Sequence, residues 1–225
     1  MKKLFLCILL FPVFFAGAQV RFSFATDVSV VRNFSPHQRF WAIGQTIQGQ
    51  FHFNERESFY TWLMYYSPGR FSNEFIAEAR NAGTTPSKIA YTMKGLWNMK
   101  EFSMGIKHYF KGGYNIETGW HLYGQAGFGL MFTGIQNSLR NAVDTSLYQL
   151  AEVPREGSDE FKRLTIDLGM GVEVPLGGDF FVYTDARTYI PSSSYPSTYL
   201  HNTKNVPLPL MINLGVRILF GNSEE

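Results

Sequence analysis

The sequence predicts an all-β chain: an eight-stranded, antiparallel, up-and-down transmembrane β-barrel with short turns at one end and longer loops at the other. Three observations predict it. The first is period-two alternation, clearest in "RLTIDLGMGVEV" (163–174). Leu164, Ile166, Leu168, Met170, Val172 and Val174 share one face, and Arg163, Thr165, Asp167, Gly169, Gly171 and Glu173 the other. The second is composition. Aromatics reach 16% while charged residues stop at 17%, below the usual quarter, and a mean hydropathy of -0.11 excludes a bundle of membrane helices. The third is an alternation of short and long connections.

The N-terminus precedes the barrel. Lys2 and Lys3, the apolar "LFLCILLFPVFF" and the small residues Ala16-Gly17-Ala18 read as a secretory signal peptide over 1–18, cut after Ala18. The apolar run is shorter than the roughly 20 residues a spanning helix needs. Export through the Sec pathway follows, with 19–225 as the barrel. The single cysteine, Cys7, lies in the signal segment, so the exported part has no thiol for a disulfide, a metal or a nucleophile. A net charge of +2 gives no footprint for nucleic acid.

The eight strands are expected at 20–32, 39–53, 57–68, 88–110, 116–134, 162–175, 179–190 and 207–220, the fourth starting either at 88 or only near 99. "NERE", "KGGYN" and "PLGGD" are tight turns between strands two and three, four and five, and six and seven. The alternate connections, 69–87, 135–161 and 191–206, are long; only "NFSPHQ" is short. Short turns and long loops therefore gather at opposite ends, as periplasmic turns and external loops do in outer-membrane barrels. Within the first long loop, "NEFIAEARNAG" (73–83) is expected to be a short helix capped by Asn73 and stopped by Gly83.

The orientation of the two faces decides the environment. A soluble barrel would bury the apolar face. Here the other face collects glycines, which weaken strands but suit a crowded interior. It also collects balanced charge: Arg21, Lys107, Arg163, Arg187 and Arg217 against Asp27, Glu117, Asp167, Glu173 and Asp185. Enclosed charges must pair, because burying them alone is prohibitive. These ten form the expected lumen network, with the apolar face toward lipid. Trp41, Tyr60, Trp62, Tyr65, Tyr66, Tyr109, Phe110, Tyr114 and Tyr189, near strand ends, are expected in aromatic girdles.

The signal peptide, the alternation and the last strand "PLMINLGVRILF" together resemble the small bacterial outer-membrane β-barrel family typified by the OmpA membrane domain and OmpX, over 20–220. "AGAQ" at the cleavage site and the strand style are similar to Bacteroidota barrels. The resemblance implies an outer-membrane location and Leu214, Val216, Ile218 and Phe220 as the signal read by the barrel-assembly machinery, with Gly221–Glu225 following. It also implies outer-membrane lipids and lipopolysaccharide as surroundings.

Chemistry is sparse. Interior charges can close a small barrel or line a narrow path; barrels of this size are normally filled by side chains, so a closed or very narrow polar lumen is expected. A narrow solute channel and a lipid-modifying enzyme are the alternatives. His37 and His201 could reach the rim near Ser35, Ser197 and Asp144, but no signature joins them, and no two histidines have metal-ligand spacing. "GLW" (95–97) imitates a lipocalin motif, but lipocalins carry theirs on the first strand around an apolar cavity, and "GQAGFG" (124–129) sits mid-strand rather than between strand and helix, so neither marks a site. The expectation is a non-enzymatic protein without cofactor or metal. Its role is structural or surface-interacting, through the loops 69–87, 135–161 and 191–206.

Overall fold

The computed structural model describes residues 21–195, 197–201 and 209–221; the expected signal peptide and its cleavage site lie outside them. Ten strands follow one another: β1 (Arg21–Asn33), β2 (Phe40–His52), β3 (Glu57–Tyr66), β4 (Gly69–Ala79), β5 (Lys88–Lys111), β6 (His121–Leu139), β7 (Tyr148–Gln149), β8 (Gly157–Gly177), β9 (Phe180–Pro191) and β10 (Pro209–Phe220). All pairings are antiparallel. β1 pairs with β10 and β2, and a β3–β5 pairing closes the sheet into a barrel of β1, β2, β3, β5, β6, β8, β9 and β10. Closure removes the free edges that hydrocarbon would not tolerate.

The barrel is staggered. A row of paired residues leaving β8 at Lys162 runs through Phe132, Lys100, Tyr65, Gln45, Val28, Leu214 and Thr184 and returns to β8 at Val172. Such a shift accompanies strand tilt. At the short-turn end, the Asn54 Oδ1 accepts from the Arg56 and Glu57 N–H groups, both at 2.9 Å. Gly177 and Gly178, with φ of 122° and 57°, turn β8 into β9.

Alternation places every second residue outward. Phe128, Leu164, Leu168, Leu214, Ile43 and Leu63 are among the exposed apolar residues that form a continuous outer belt. The interior is in two levels. Near the short turns it holds buried charges and hydroxyls. Toward the long loops it holds an aromatic and methionine cluster that includes Trp62, Trp97, Tyr66, Met131 and Phe161. Trp41, Tyr65 and Phe110 face outward as expected of girdles. Tyr60, Trp62, Tyr66, Tyr109, Tyr114 and Tyr189 do not: they are buried inside. The glycines explain how. Gly105 and Gly127 pair across β5 and β6, and a Cβ on either would collide with the Tyr60 hydroxyl at 2.6 and 2.5 Å.

Two local expectations are corrected. The segment 73–83 is not a helix, because 69–79 is β4, paired with β5 from Gly69↔Trp97 to Glu78↔Lys88. Phe71, Asn73, Phe75 and Ala77 face inward and Arg70, Ser72, Glu74 and Ile76 outward, so an available partner strand overrode local helix signals. β6 is the other correction, starting at His121 rather than 116, whereas β5 runs unbroken from Lys88, the earlier of the two expected starts.

Candidate functional site

The lower interior is organised around Glu173 on β8. Arg217 Nη2 and Nε approach its two carboxylate oxygens at 2.6 and 2.9 Å; Lys107 Nζ lies at 3.4 Å and the Tyr109 hydroxyl donates at 3.2 Å. Arg217 also donates to the Ser23 hydroxyl at 2.8 Å. Ser23 and Ser58 flank the His52 ring at 2.7 Å on either side. Arg21, half-buried at the rim, donates to the Tyr114 hydroxyl at 2.7 Å.

The next level centres on Arg187 of β9. Its Nη2 reaches Asp185 at 2.7 Å and Asp27 at 3.2 Å. Tyr123 donates to Asp185 at 2.9 Å, Tyr183 to Asp27 at 2.8 Å, and Asn213 also bonds Asp185. The Arg187 guanidinium lies 4.5 Å from the Trp62 ring centre, so one side chain joins the ionic level to the aromatic one. Beside it, the Thr165 hydroxyl stands 2.6 Å from Glu101 and 2.8 Å from Asp167, and Ser103 bonds Asp167. Gly129 makes room: a Cβ there would collide with Glu101 Oε1.

Of the ten charged residues expected inside, Asp27, Lys107, Arg163, Asp167, Glu173, Asp185, Arg187 and Arg217 are buried, and Arg21 is half-buried. Arg163 sits in the upper level over Phe161 and Tyr195. Glu117 is the correction. It is exposed in the connection between β5 and β6, because the chain loops from Gly112 to Trp120 instead of entering the strand at 116. Glu101 takes a place inside that the sequence alone does not assign. Its parity with Ser103, Gly105 and Lys107 is the available signal. Among the described residues no group of three or more His, Cys, Asp or Glu is arranged to hold a metal.

At the long-loop end the barrel rim is uneven. β4, β5, β6 and β8 continue past the apolar belt as a four-stranded wall. Its inner side carries a small core of Ala77, Tyr91, Met93 and Tyr148, and its tip an exposed Glu78–Lys88 pair at 2.8 Å. The hydrogen bond from Lys88, then its charge, holds the Glu78 carboxyl below its ordinary range. In the loop before β7, Asp144 takes hydrogen bonds from both the Ser146 hydroxyl (2.5 Å) and N–H (2.9 Å), which hold its carboxyl low as well.

The segment after β9 folds over the mouth. Tyr195 stacks on Phe161 with centroids 4.6 Å apart, Leu200 is buried in the aromatic cluster, and Asn137 Nδ2 donates to the Tyr199 carbonyl at 2.7 Å. His201 stacks on His37 at 4.0 Å. Burial, then the neighbouring His37, lowers the His201 pKa. The hydroxyl of Ser197 is committed to Asp159 at 2.5 Å, and the buried Ser35 forms a turn with Gln38. The rim histidines, serines and Asp144 are therefore not assembled into one constellation.

At the upper boundary of the apolar belt, outward cations begin. Lys100 stands 5.7 Å from the Tyr65 ring centre, Lys162 5.5 Å from Phe132, and Arg32 5.0 Å from Trp41. Long cationic stems over aromatic rings lie along an apolar boundary with the charge in the polar layer.

No family model matches the chain, and no curated protein does. Solved structures do. The crystal structure of Neisserial surface protein A superposes with a TM-score of 0.54 at 12% identity, covering 88% of this chain and 96% of that one. A major outer membrane protein from Thermus thermophilus gives 0.50 at 8% identity, covering 88% and 99%. Closed antiparallel barrel, apolar outer belt and uneven ends coincide in this chain, and its fold is that of the small eight-stranded outer-membrane β-barrels.

Proposed function

We propose that the protein is an outer-membrane barrel whose job is surface presentation: the projecting wall and mouth segments meet extracellular partners, and the interior is closed to solutes. One observation carries this reading. The interior is occupied at both levels, by the Glu173 and Arg187 networks below and by the aromatic cluster with Leu200 above. An interior filled by these side chains leaves little room for hydrated ions, and eight strands enclose only enough space for side chains. The Neisserial neighbour is named a surface protein, in agreement with the reading.

The remaining assignments belong to the same proposal. Residues 1–18 direct export through the Sec pathway, and Leu214, Val216, Ile218 and Phe220, outward on β10, present the assembly signal. Arg32, Lys100 and Lys162 at the belt's upper boundary suit the phosphates of lipopolysaccharide. The contact surface is the wall and the segments 69–87, 135–161 and 191–206, and no catalytic step is assigned.

Planar-bilayer recording of the refolded chain tests the reading. A closed barrel gives no reproducible single-channel steps. Steps that change size with Asp185→Asn or Arg187→Gln would establish a narrow channel instead. A lipid A mass shift on deleting the gene would establish the enzymatic alternative.

A further inference from the structure

Strand β4 is paired along one side only. Its β5 side is occupied from Gly69 to Glu78, whereas on the other side β7 covers just Glu78 and Ala79. Two bonds at the tip fix the direction of its peptide groups. The Ala79 N–H points to Ser87 on the β5 side, and the Arg80 N–H to Leu147 on the β7 side. Strand alternation therefore turns the N–H and C=O groups of Arg70, Ser72, Glu74 and Ile76 away from β5. Among the described residues no backbone group meets them there.

A bulge creates this edge. Tyr65 pairs with Lys100 but Gly69 with Trp97, so Ser67–Pro68 inserts one extra residue. Below the bulge β2 fills the flank, as far as the Ser67 N–H bonded to the Ile43 carbonyl at 2.8 Å. Above it the chain preceding β2 draws away and leaves a cleft of about 340 Å³ lined by Pro36, His37, Arg39, Phe71, Ser72 and Asn73. One side chain spans it: Asn73 Nδ2 donates to the His37 carbonyl at 2.5 Å. The surroundings are cationic. Arg39 and Arg70 are exposed, Lys94 lies opposite Ser72 on β5, and Glu74 is the one acid between 70 and 76.

The geometry points to the β4 edge as a docking site for an extended, acidic polypeptide segment, added as a further strand of the wall. This rests on the surface-presentation reading and names its kind of partner. Donors and acceptors that alternate at every second residue match a peptide backbone and no lipid headgroup. The arginines and Lys94 select acidic side chains. Edge strands invite such pairing wherever cover is missing, and no proline blocks the strand between 69 and 79.

The test uses the full chain refolded in detergent micelles and a fluorescent Val-Glu repeat of about eight residues, a typical strand length or slightly more. Fluorescence anisotropy should show saturable binding. N-methylation of alternate peptide residues should weaken it by about tenfold, the worth of one or two backbone hydrogen bonds. Ser72→Pro should do the same, because that N–H points off β5 and the β4–β5 ladder survives its loss. Should the variant not fold, the methylated peptide on the unaltered chain still decides. Absence of saturable binding overturns the proposal. So does binding that ignores methylation and is displaced by lipopolysaccharide, which would give the cleft to an anionic headgroup. Neither result alters the bilayer recording, so the two readings fail separately.

Discussion

Arg217 grips Glu173 with two nitrogens at once, at 2.6 and 2.9 Å, while both side chains are shut off from solvent. Lys107 and Tyr109 share the same carboxylate. Glu173→Gln keeps the shape but strands two cations in the interior. A broken buried pair costs about 3–5 kcal/mol, so the variant should unfold at clearly lower urea, read as loss of the folded band on unboiled gels. Adding Arg217→Met should restore part of the loss. Equal midpoints for the parent and Glu173→Gln would contradict the network.

Gly129→Ala should destabilise the barrel by about 1–3 kcal/mol, because the new methyl must displace well-packed neighbours. Its Cβ would run into a Glu101 oxygen and stand 2.6 and 2.9 Å from oxygens of Thr165 and Asp167. Gly134→Ala is the control, with its nearest neighbours at 3.9 and 4.0 Å. The same urea titration should separate the two, and identical curves would remove the crowding argument.

Outward positions should respond to height. Leu168→Arg, in the apolar belt, should cost about 2–4 kcal/mol in a bilayer, whereas Gln136→Arg on the wall should cost about 0–1. Refolding into lipid vesicles across a denaturant series measures both. A cheap arginine at Leu168 would mean that this face does not meet hydrocarbon.

The His37–His201 stack should loosen in acid. Burial and the facing imidazole depress the His201 pKa below its ordinary 6.5, so the docked segment binds fewer protons than the released one. Docking is therefore strongest above 6.5 and weakens as pH falls through it. Amide protection factors at 197–201, taken against the intrinsic exchange rate at each pH, should fall from about pH 7 to about pH 5, and His201→Phe should remove the response. Equal protection factors at both would separate the stack from docking.

Much of the barrel is legible in the sequence because alternation is a property of each strand alone. Leu164 through Val174 and Leu210 through Phe220 announce their faces without any partner. What fails depends on distant partners. Glu117 has the parity of a lumen residue, yet the chain at 112–120 is still turning. The helix signals at 73–83 lose to hydrogen bonds offered by β5, a strand that arrives later in sequence. The inward tyrosines pass for girdle residues because aromatic residues at strand ends look alike from either side. Only cross-strand glycines such as Gly105 and Gly127 show which rings have room inside. The free side of β4 is invisible for the same reason, since an edge is defined by a neighbour that stops.

The two-level interior separates the fates of the chain's halves. Because Trp62, Phe161 and Leu200 form an aromatic and aliphatic storey above the Arg187 level, the ionic floor is solved without help from anything beyond the rim. Tips at 80–87 and 140–156 can lengthen, shorten or change sign under selection by whatever they touch. The foundation beneath them need not be renegotiated each time.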